Sequence, residues 1–203
     1  MKDLTAFWDV DTQVDFIRPE GKLYAPGAET IVPNLKRLTD FARDRGILNV
    51  ASTDAHQPGD AEFAQYPPHC LAGTAGQQKI PETRLPNALV IPNRPVQLAK
   101  DLSEHAQVVL EKQHFDVFTN PNTEALLAGI APRRGIVLYG LVTEICVACA
   151  ARGLLQRGYR LTVVTDAIRH LDEAKAHSLL DEVRAGGGSL LTTEQVFSSL
   201  ISS

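Results

Sequence analysis

Long hydrophobic runs, dense cysteines and an excess of positive charge are all missing from this sequence of 203 residues. No apolar run reaches the roughly 18 residues that a membrane-spanning helix needs, and the charged start MKDLTAFWDVD does not resemble a signal peptide. The net charge of −4 provides no basic surface for a nucleic acid. These absences predict a soluble, cytoplasmic protein that binds neither membranes nor nucleic acids.

Cysteine is scarce, with three residues in the chain and none of the dense spacing of a disulfide framework. Cysteines in a reducing compartment are most often buried packing residues. Cys146, however, stands where an apolar, strand-like run meets a helix-like segment. It is therefore either a packing residue or a nucleophile held at the end of a strand, and other parts of the chain must decide between the two.

The rest of the composition is that of an ordinary globular protein, with 44% apolar and 22% charged residues. The length suits a single domain that spans residues 1–203 and buries a sizeable core. Short β-like runs alternate with helical runs, and several of the β-like runs are continuously apolar. This alternation predicts an α/β sandwich with a mostly parallel sheet and helices packed against it.

Six segments fit strands and six fit helices. The predicted strands are residues 5–11, 47–53, 106–112, 135–140, 160–166 and 189–193. The predicted helices are residues 28–46, 95–105, 122–130, 144–157, 171–184 and a last one from residue 193. Residues 54–95 are rich in Pro, Gly, His and Gln with little periodicity, which is typical of a functional loop insert.

Chemically useful side chains follow four of the predicted strands. Asp11 follows the first strand, Asp54 and His56 follow the second, Lys112 ends the third, and Cys146 lies beyond the fourth. Ligands of parallel α/β sheets bind at the carboxyl ends of the strands. We therefore expect these groups to converge at one edge of the sheet.

An acid, a lysine and a cysteine together suit nucleophilic catalysis. A thiol with a pKa of about 8.5 is mostly protonated at neutral pH, so it needs a neighbouring positive charge or a base. Lys112 and a helix N-terminus could favour the thiolate of Cys146, Asp11 could accept its proton, and the turn 140–144 offers N–H donors for an oxyanion. Each group alone also has a structural explanation: a packing cysteine, a solvated lysine and a capping aspartate.

Three short motifs resemble a known family. They are Asp11, Gln13, Asp15 and Phe16 near the start; Lys112 followed by Phe118; and Gly140, Thr143, Glu144, Cys146 and Val147. In this order they resemble the isochorismatase-like cysteine hydrolases, and within them the nicotinamidase and pyrazinamidase group. The resemblance implies a Rossmann-like, three-layer sandwich with a six-stranded sheet and helices on both faces.

The resemblance also implies roles for individual residues. The catalytic triad would be Asp11, Lys112 and Cys146. The peptide bond between Leu141 and Val142 would be cis, and the backbone amides of Val142 and Cys146 would bind the oxyanion.

The insert carries the features of the nicotinamidase group. The resemblance implies that Asp54, His56 and His69 bind one divalent metal ion (zinc, iron or manganese) that holds the pyridine nitrogen of the substrate, and such ligands suit these metals. Glu62 is the predicted fourth ligand, with Asp60 as its competitor. Without the resemblance, the insert could equally be a polar surface loop.

The substrate-binding residues implied are Phe16 and Tyr66, which would flank a flat ring, and Gln13. The predicted reaction is the hydrolytic deamidation of nicotinamide to nicotinate and ammonia through a cysteine thioester, as in NAD salvage. Alternatives are hydrolysis of another small amide or ureido compound, direct activation of water by the metal, and a non-catalytic binding protein. Members of the family are often oligomers, so a homo-oligomer is expected.

Overall fold

The computed structural model describes residues 5–99, 102, 104–130 and 135–201. The described chain forms a parallel sheet of seven strands: β1 (Thr5–Val10), β2 (Leu48–Asp54), β3 (Ala88–Ile91), β4 (Gln107–Lys112), β5 (Gly135–Leu141), β6 (Arg160–Arg169) and β7 (Ser189–Leu191). Their order across the sheet is β3-β4-β2-β1-β5-β6-β7. The predicted parallel α/β sandwich is therefore confirmed.

Helices cover both faces of this sheet. They are α1 (Val14–Ile17), α2 (Val32–Asp44), α3 (Thr123–Gly129), α4 (Ala148–Gln156), α5 (Glu173–Ala185) and α6 (Thr193–Ile201). Leu126, Leu154 and Leu179 bring α3, α4 and α5 into one hydrophobic core. Leu35 and Val196 bring α2 and α6 into a second core on the opposite face.

The alternation of side chains along β1 explains why both cores form. Ala6, Trp8 and Val10 belong to the first core, whereas Phe7 belongs to the second. Successive residues of a strand point to opposite faces, so a strand covered on both faces is apolar at nearly every position. The continuous apolar runs in the sequence are the direct consequence.

The structure has one strand more than the six that the sequence predicts. The additional strand, β3, lies inside the segment 54–95, which was predicted to be an irregular insert. It pairs only with β4 at the edge of the sheet, and Val90 within it is 52% exposed. Its four residues form a short apolar run between Asn87 and Pro92, a pattern that is consistent with a strand but too short to identify one by itself.

The helix predicted over residues 95–105 is wrong for residues 95–99, which have no regular structure. Residues 100, 101 and 103 lie outside the described residues. Asn122 provides a physical reason, because its side-chain amide donates to the carbonyl oxygens of Pro92 and Arg94, at 3.2 and 2.8 Å, and accepts from the N–H of Val96 at 3.0 Å. These bonds hold the backbone in a non-helical path.

The order of the strands places the ends of β1 and β5 side by side at the topological switch point, where parallel α/β folds bind their ligands. Gly140 allows this close approach. Its φ is +119°, and a Cβ at this position would lie 2.1 Å from the carbonyl oxygen of Val10. Any other residue would push β5 away from β1 at the point where the candidate site lies.

No described helix is both long enough and apolar enough to cross a membrane.

Candidate active site

Asp11, Lys112 and Cys146 meet at this switch point. The Nζ of Lys112 lies 2.9 Å from Oδ2 of Asp11 and 3.5 Å from Sγ of Cys146, and it also donates to Oδ1 of Asp54. Lys112 is 1% exposed, Asp11 is fully buried and Cys146 is 6% exposed. The structure thus brings together an acid, an ammonium and a thiol from three strand ends, as predicted from the sequence.

The carboxylate of Asp11 is held firmly in place. Its Oδ1 accepts a hydrogen bond of 2.7 Å from the hydroxyl of Ser52, and its backbone N–H donates to the carbonyl oxygen of Ser52 at 3.1 Å. Asp11 has a φ of +49°, in the left-handed region that residues other than glycine rarely adopt. Strained backbone of this kind concentrates at functional sites, where the surrounding structure fixes it.

The charges at the site favour a neutral thiol beside a positively charged lysine. Burial raises the pKa of Cys146 well above its usual value, and Lys112 opposes this rise only in part while Asp11 adds to it. Burial alone would lower the pKa of Lys112, but the carboxylates of Asp11 and Asp54 more than offset it and raise the pKa well above its usual value. The resting thiol therefore needs a proton acceptor. The carboxylates of Asp11 and Asp54 both lie within 4.8 Å of the sulfur, and Asp11 is the one that is hydrogen bonded to the thiol.

Cys146 lies in a tight turn between β5 and α4. The turn Thr143–Val147 is π-helical, and the carbonyl oxygen of Val142 accepts from the N–H groups of Ile145 and Val147, both at 3.1 Å. The peptide bond between Leu141 and Val142 is cis, as the resemblance implies. The predicted oxyanion donors, the amides of Val142 and Cys146, thus belong to the strand end and turn that carry the nucleophile.

Four potential metal ligands from β2 and the following insert converge beside the triad. One donor atom from each of Asp54, His56, Glu62 and His69 lies within 4.8 Å of the other three. The Nε2 atoms of His56 and His69 are 3.7 and 3.5 Å from Oε1 of Glu62, and each is 3.9 Å from Oδ2 of Asp54. Ligands bonded to one ion at about 2.1 Å are separated by about 3.4 Å in a tetrahedral site. The spacing of these atoms therefore suits a single ion.

Unpaired polar atoms support the same interpretation. Oδ2 of Asp54 and Nε2 of both His56 and His69 are buried, and none has a hydrogen-bond partner among the described residues. Buried polar groups without a partner are costly and are rare in native proteins. A divalent cation bound among these three atoms and Glu62 would satisfy all of them.

The other nitrogen of each histidine ring is already bonded. Nδ1 of His56 lies 3.0 Å from Oδ2 of Asp60, and Nδ1 of His69 lies 2.8 Å from the carbonyl oxygen of Pro67. Donation by Nδ1–H to these oxygens leaves the Nε2 lone pair free to bind a metal. Asp60, the alternative to Glu62 as predicted fourth ligand, instead binds Nδ1 of His56 and fixes the orientation of that ring.

We expect replacement of Asp60 by alanine to weaken zinc binding by about 10- to 100-fold, because His56 loses the partner that fixes its ring. Glu62→Gln should weaken binding further, because it removes a charged ligand. Competition with a chromogenic chelator measures the zinc dissociation constant of each variant. Replacement of Asp181, an exposed acid, by alanine is the matched control. A larger loss in Asp60→Ala than in Glu62→Gln would show that Asp60 is the ligand.

Gln13 joins the triad to the insert. Its Nε2 donates to the carbonyl oxygens of Asp54 and Gln77, at 2.8 and 2.7 Å, and its Oε1 accepts from the N–H of Asp54 at 2.7 Å. All these bonds go to the backbone, and Gln13 does not line the pocket beside Cys146. The structure therefore gives Gln13 a positioning role, where the sequence predicts contact with the substrate.

Asp15 anchors the same insert from the other side. Its Oδ2 accepts a 2.7 Å hydrogen bond from the N–H of Cys70, next to His69, and its Oδ1 accepts from the N–H of Lys22 at 3.0 Å. His56 and Leu71 form an isolated parallel bridge, which returns the insert to the end of β2. The candidate metal ligands are therefore held by backbone pairing and buried side chains rather than by a free loop.

A pocket of about 250 Å³ opens onto the thiol. It is lined by Phe16, Leu23, Asp54, Glu62, Tyr66, Phe115, Val142, Ile145, Cys146 and Leu171. The predicted ring-binding residues Phe16 and Tyr66 both lie in this wall. Most of the wall is apolar or aromatic, which is typical of sites that bind small organic molecules.

Sequence reasoning missed Phe115 and Leu171 in this wall. Phe118, the aromatic residue in the matched motif, instead packs under the guanidinium of Arg157 at 3.8 Å. Phe115 stands three residues after Lys112, and Leu171 stands two residues after β6. Both follow the rule that residues after parallel strands form the site, and applying that rule to every strand would have found them.

Known proteins share this fold and sequence pattern. An isochorismatase domain model matches residues 5–195. Nicotinamidase from Escherichia coli strain K12 is 27% identical over 208 residues, covering 90% of this chain and 92% of that protein. Maleamate amidohydrolase from Pseudomonas putida is 27% identical over 194 residues, covering 94% and 84%. The structure of pyrazinamidase of Pyrococcus horikoshii in complex with zinc shares the fold, with a TM-score of 0.77, 23% identity and coverage of 93% and 99%.

Proposed function

The chain belongs to the isochorismatase domain family, and from this membership we propose that it is a cysteine amidohydrolase that converts nicotinamide to nicotinate and ammonia. The observation that carries the proposal is that three features meet around one pocket: the Asp11, Lys112 and Cys146 group, which reaches it through Cys146; a four-residue metal group, which reaches it through Asp54 and Glu62; and aromatic walls. This reaction would place the protein in NAD salvage in the cytoplasm.

The first half of the proposed reaction forms a thioester. The Cys146 sulfur attacks the carboxamide carbon while its proton passes to the carboxylate of Asp11. The amides of Val142 and Cys146 stabilise the oxyanion of the tetrahedral intermediate. The C–N bond then breaks, and Asp11 returns the proton to the leaving nitrogen, which departs as ammonia.

The second half releases the acid. Water loses a proton to Asp11 and attacks the thioester carbon, the C–S bond breaks, and the sulfur recovers the proton from Asp11. Lys112 keeps its positive charge throughout, because the neighbouring carboxylates raise its pKa. It therefore stabilises both the carboxylate of Asp11 and the developing negative charge on sulfur.

Asp54, His56, Glu62 and His69 would hold the metal, and their mixture of nitrogen and oxygen donors suits zinc, iron or manganese. When bound, the ion would supply a Lewis-acidic partner for the ring nitrogen of the substrate. Phe16 contributes to both parts of the site, because its ring centroid is 5.3 Å from that of His69 and it lines the pocket. The aromatic ring of the substrate would therefore lie beside the metal group.

The pocket wall supports a neutral substrate. Apart from Cys146 and the metal ligands Asp54 and Glu62, every described lining residue is apolar or aromatic. None of them is an arginine or lysine, and the nearby Lys112 is already bonded to two carboxylates. A substrate with its own carboxylate, such as maleamate, would meet no cationic side chain in this wall, and it has no ring nitrogen for the metal to hold.

We expect kcat/KM for nicotinamide to exceed that for maleamate by at least about 100-fold, because maleamate has neither a ring to bury against the aromatic wall nor a ring nitrogen for the metal, and the loss of even one methylene contact is worth about 10- to 200-fold. The rate of ammonia release by the purified, metal-loaded protein gives kcat/KM for both substrates. A neutral ureido compound serves as a third substrate. Preferred turnover of maleamate or of the ureido compound would refute the assignment to nicotinamide while leaving the cysteine chemistry intact.

A further inference from the structure

Glu144 links the nucleophile turn to a loop on the far side of the pocket. It precedes Cys146 by two residues, and its Oε1 accepts hydrogen bonds from the N–H groups of Leu171 and Asp172, at 3.0 and 2.7 Å. Bonds to a carboxylate are among the stronger hydrogen bonds in proteins. One side chain of the catalytic turn therefore fixes the backbone of a second segment.

That segment follows β6 and begins α5. The side chain of Asp172 caps α5 by accepting from the N–H of Lys175 at 3.1 Å. The loop is thus held at Asp172 by the helix cap and at Leu171 by the carboxylate of Glu144. Leu171 has little freedom to move away from the pocket.

Leu171 exposes its side chain to that pocket. It is 39% exposed, one of three large apolar side chains exposed among the described residues, with Val90 and Ile201. Of these three, only Leu171 lines the pocket beside Cys146. A ligand that covers an exposed leucine in a substrate pocket removes apolar surface from water, which favours binding.

We propose that Leu171 is a specificity-determining residue that limits the size of the substrate ring, and that Glu144 is the positioning residue that holds Leu171 against the ring. This inference rests on the proposed function, because it takes the ring-binding pocket as given. Its prediction concerns which amides enter the pocket, whereas the cysteine chemistry itself should be unaffected.

The experiment compares nicotinamide with a ring-alkylated nicotinamide. Leu171→Ala should raise the ratio of kcat/KM for the alkylated amide to that for nicotinamide by about tenfold or more, since one methylene in such a pocket is worth roughly 10- to 200-fold. The change should appear mainly in KM. An equal loss of kcat/KM for both substrates would overturn the proposal.

Two substitutions of Glu144, by alanine and by glutamine, test its positioning role. Glu144→Ala should shift the same ratio in the same direction, because the backbone of Leu171 loses its anchor. Glu144→Gln retains an acceptor oxygen and should keep the wild-type ratio. Val90→Ala, which removes an exposed apolar side chain from the edge strand, is the matched control and should change neither substrate. A wild-type ratio in Glu144→Ala would refute the positioning role.

A second readout does not require hydrolysis. The rate of alkylation of Cys146 by N-benzyl iodoacetamide, relative to iodoacetamide, should rise in Leu171→Ala by a similar factor. If the wild-type protein releases no ammonia from nicotinamide, the proposed function fails. The ratio of the two alkylation rates still tests whether Leu171 limits the size of molecules that reach Cys146. An unchanged alkylation ratio would overturn the role of Leu171.

Discussion

Cys146→Ala is expected to lower kcat/KM for amide hydrolysis by about 10⁴-fold or more, because removal of a nucleophile costs as much as removal of the whole catalytic group. The variant should fold, since losing one buried sulfur from a small side chain costs about 1 kcal/mol, a typical value for a point substitution. Ammonia release at saturating metal measures the loss, and thermal unfolding verifies the fold.

Cys149→Ala is the matched control. Cys149 lies three residues along the same chain segment, is free and half-buried, and does not line the pocket. Its replacement should leave the rate unchanged within about twofold. If Cys146→Ala retained turnover that a chelator then abolished, water activated by the metal would be the nucleophile, and the account of the site would be wrong.

The second large effect is expected from Asp11→Asn. Asparagine has nearly the same shape, and Lys112 keeps its contact with Asp54, but the amide cannot accept the thiol proton. We expect kcat to fall by about 10²- to 10⁴-fold, the usual contribution of a general acid–base group. The double variant Asp11→Asn with Cys146→Ala should be no slower than Cys146→Ala alone, because the two groups act as one unit.

Thiol reactivity separates the two roles that Asp11 could have. The charge of Asp11 and its hydrogen bond help to raise the pKa of Cys146, so Asp11→Asn should lower that pKa. Alkylation of Cys146 at pH 7 should therefore persist while hydrolysis is lost. Loss of both activities together would indicate that Asp11 acts only by maintaining the structure of the site.

Asp9→Asn provides the matched control for this buried carboxylate. Asp9 lies two residues earlier on β1 and pairs with Lys79 at 2.7 Å, outside the pocket. Breaking a buried ion pair typically costs about 3–5 kcal/mol. Asp9→Asn should therefore reduce the free energy of unfolding while kcat of the folded protein stays near that of the wild type.

The sheet was predictable where burial leaves a pattern in the sequence. The central strands β1, β4 and β5 are covered on both faces, so each contains a continuous apolar run that is visible in the sequence. The edge strand β3 is also apolar, but its run has only four residues and lies in a segment rich in Pro and Gly, where so short a run is ambiguous. Residues 95–99 depend on the side chain of Asn122, which lies more than 20 residues away, and local sequence does not contain that information.

The candidate site was predictable to the extent that parallel strand ends determine it. Asp11, Lys112 and Cys146 each follow a recognisable strand, and the structure brings all three together. The sequence could not show which of Glu62 and Asp60 faces the candidate metal group and which binds the other side of the His56 ring, because both acids lie in an insert without periodicity. Only the fold of that insert places Asp60 at Nδ1 of His56 and Glu62 at Nε2.

Product analysis in the presence of hydroxylamine tests the central claim most directly, since only an acyl-enzyme can pass its acyl group to an added nucleophile. With nicotinamide as substrate, we predict that the hydroxamate of nicotinic acid forms in proportion to hydroxylamine, that ammonia release does not slow, and that Cys146→Ala forms none. Nicotinate as the sole product at every hydroxylamine concentration, with ammonia release unchanged, would contradict a thioester on Cys146.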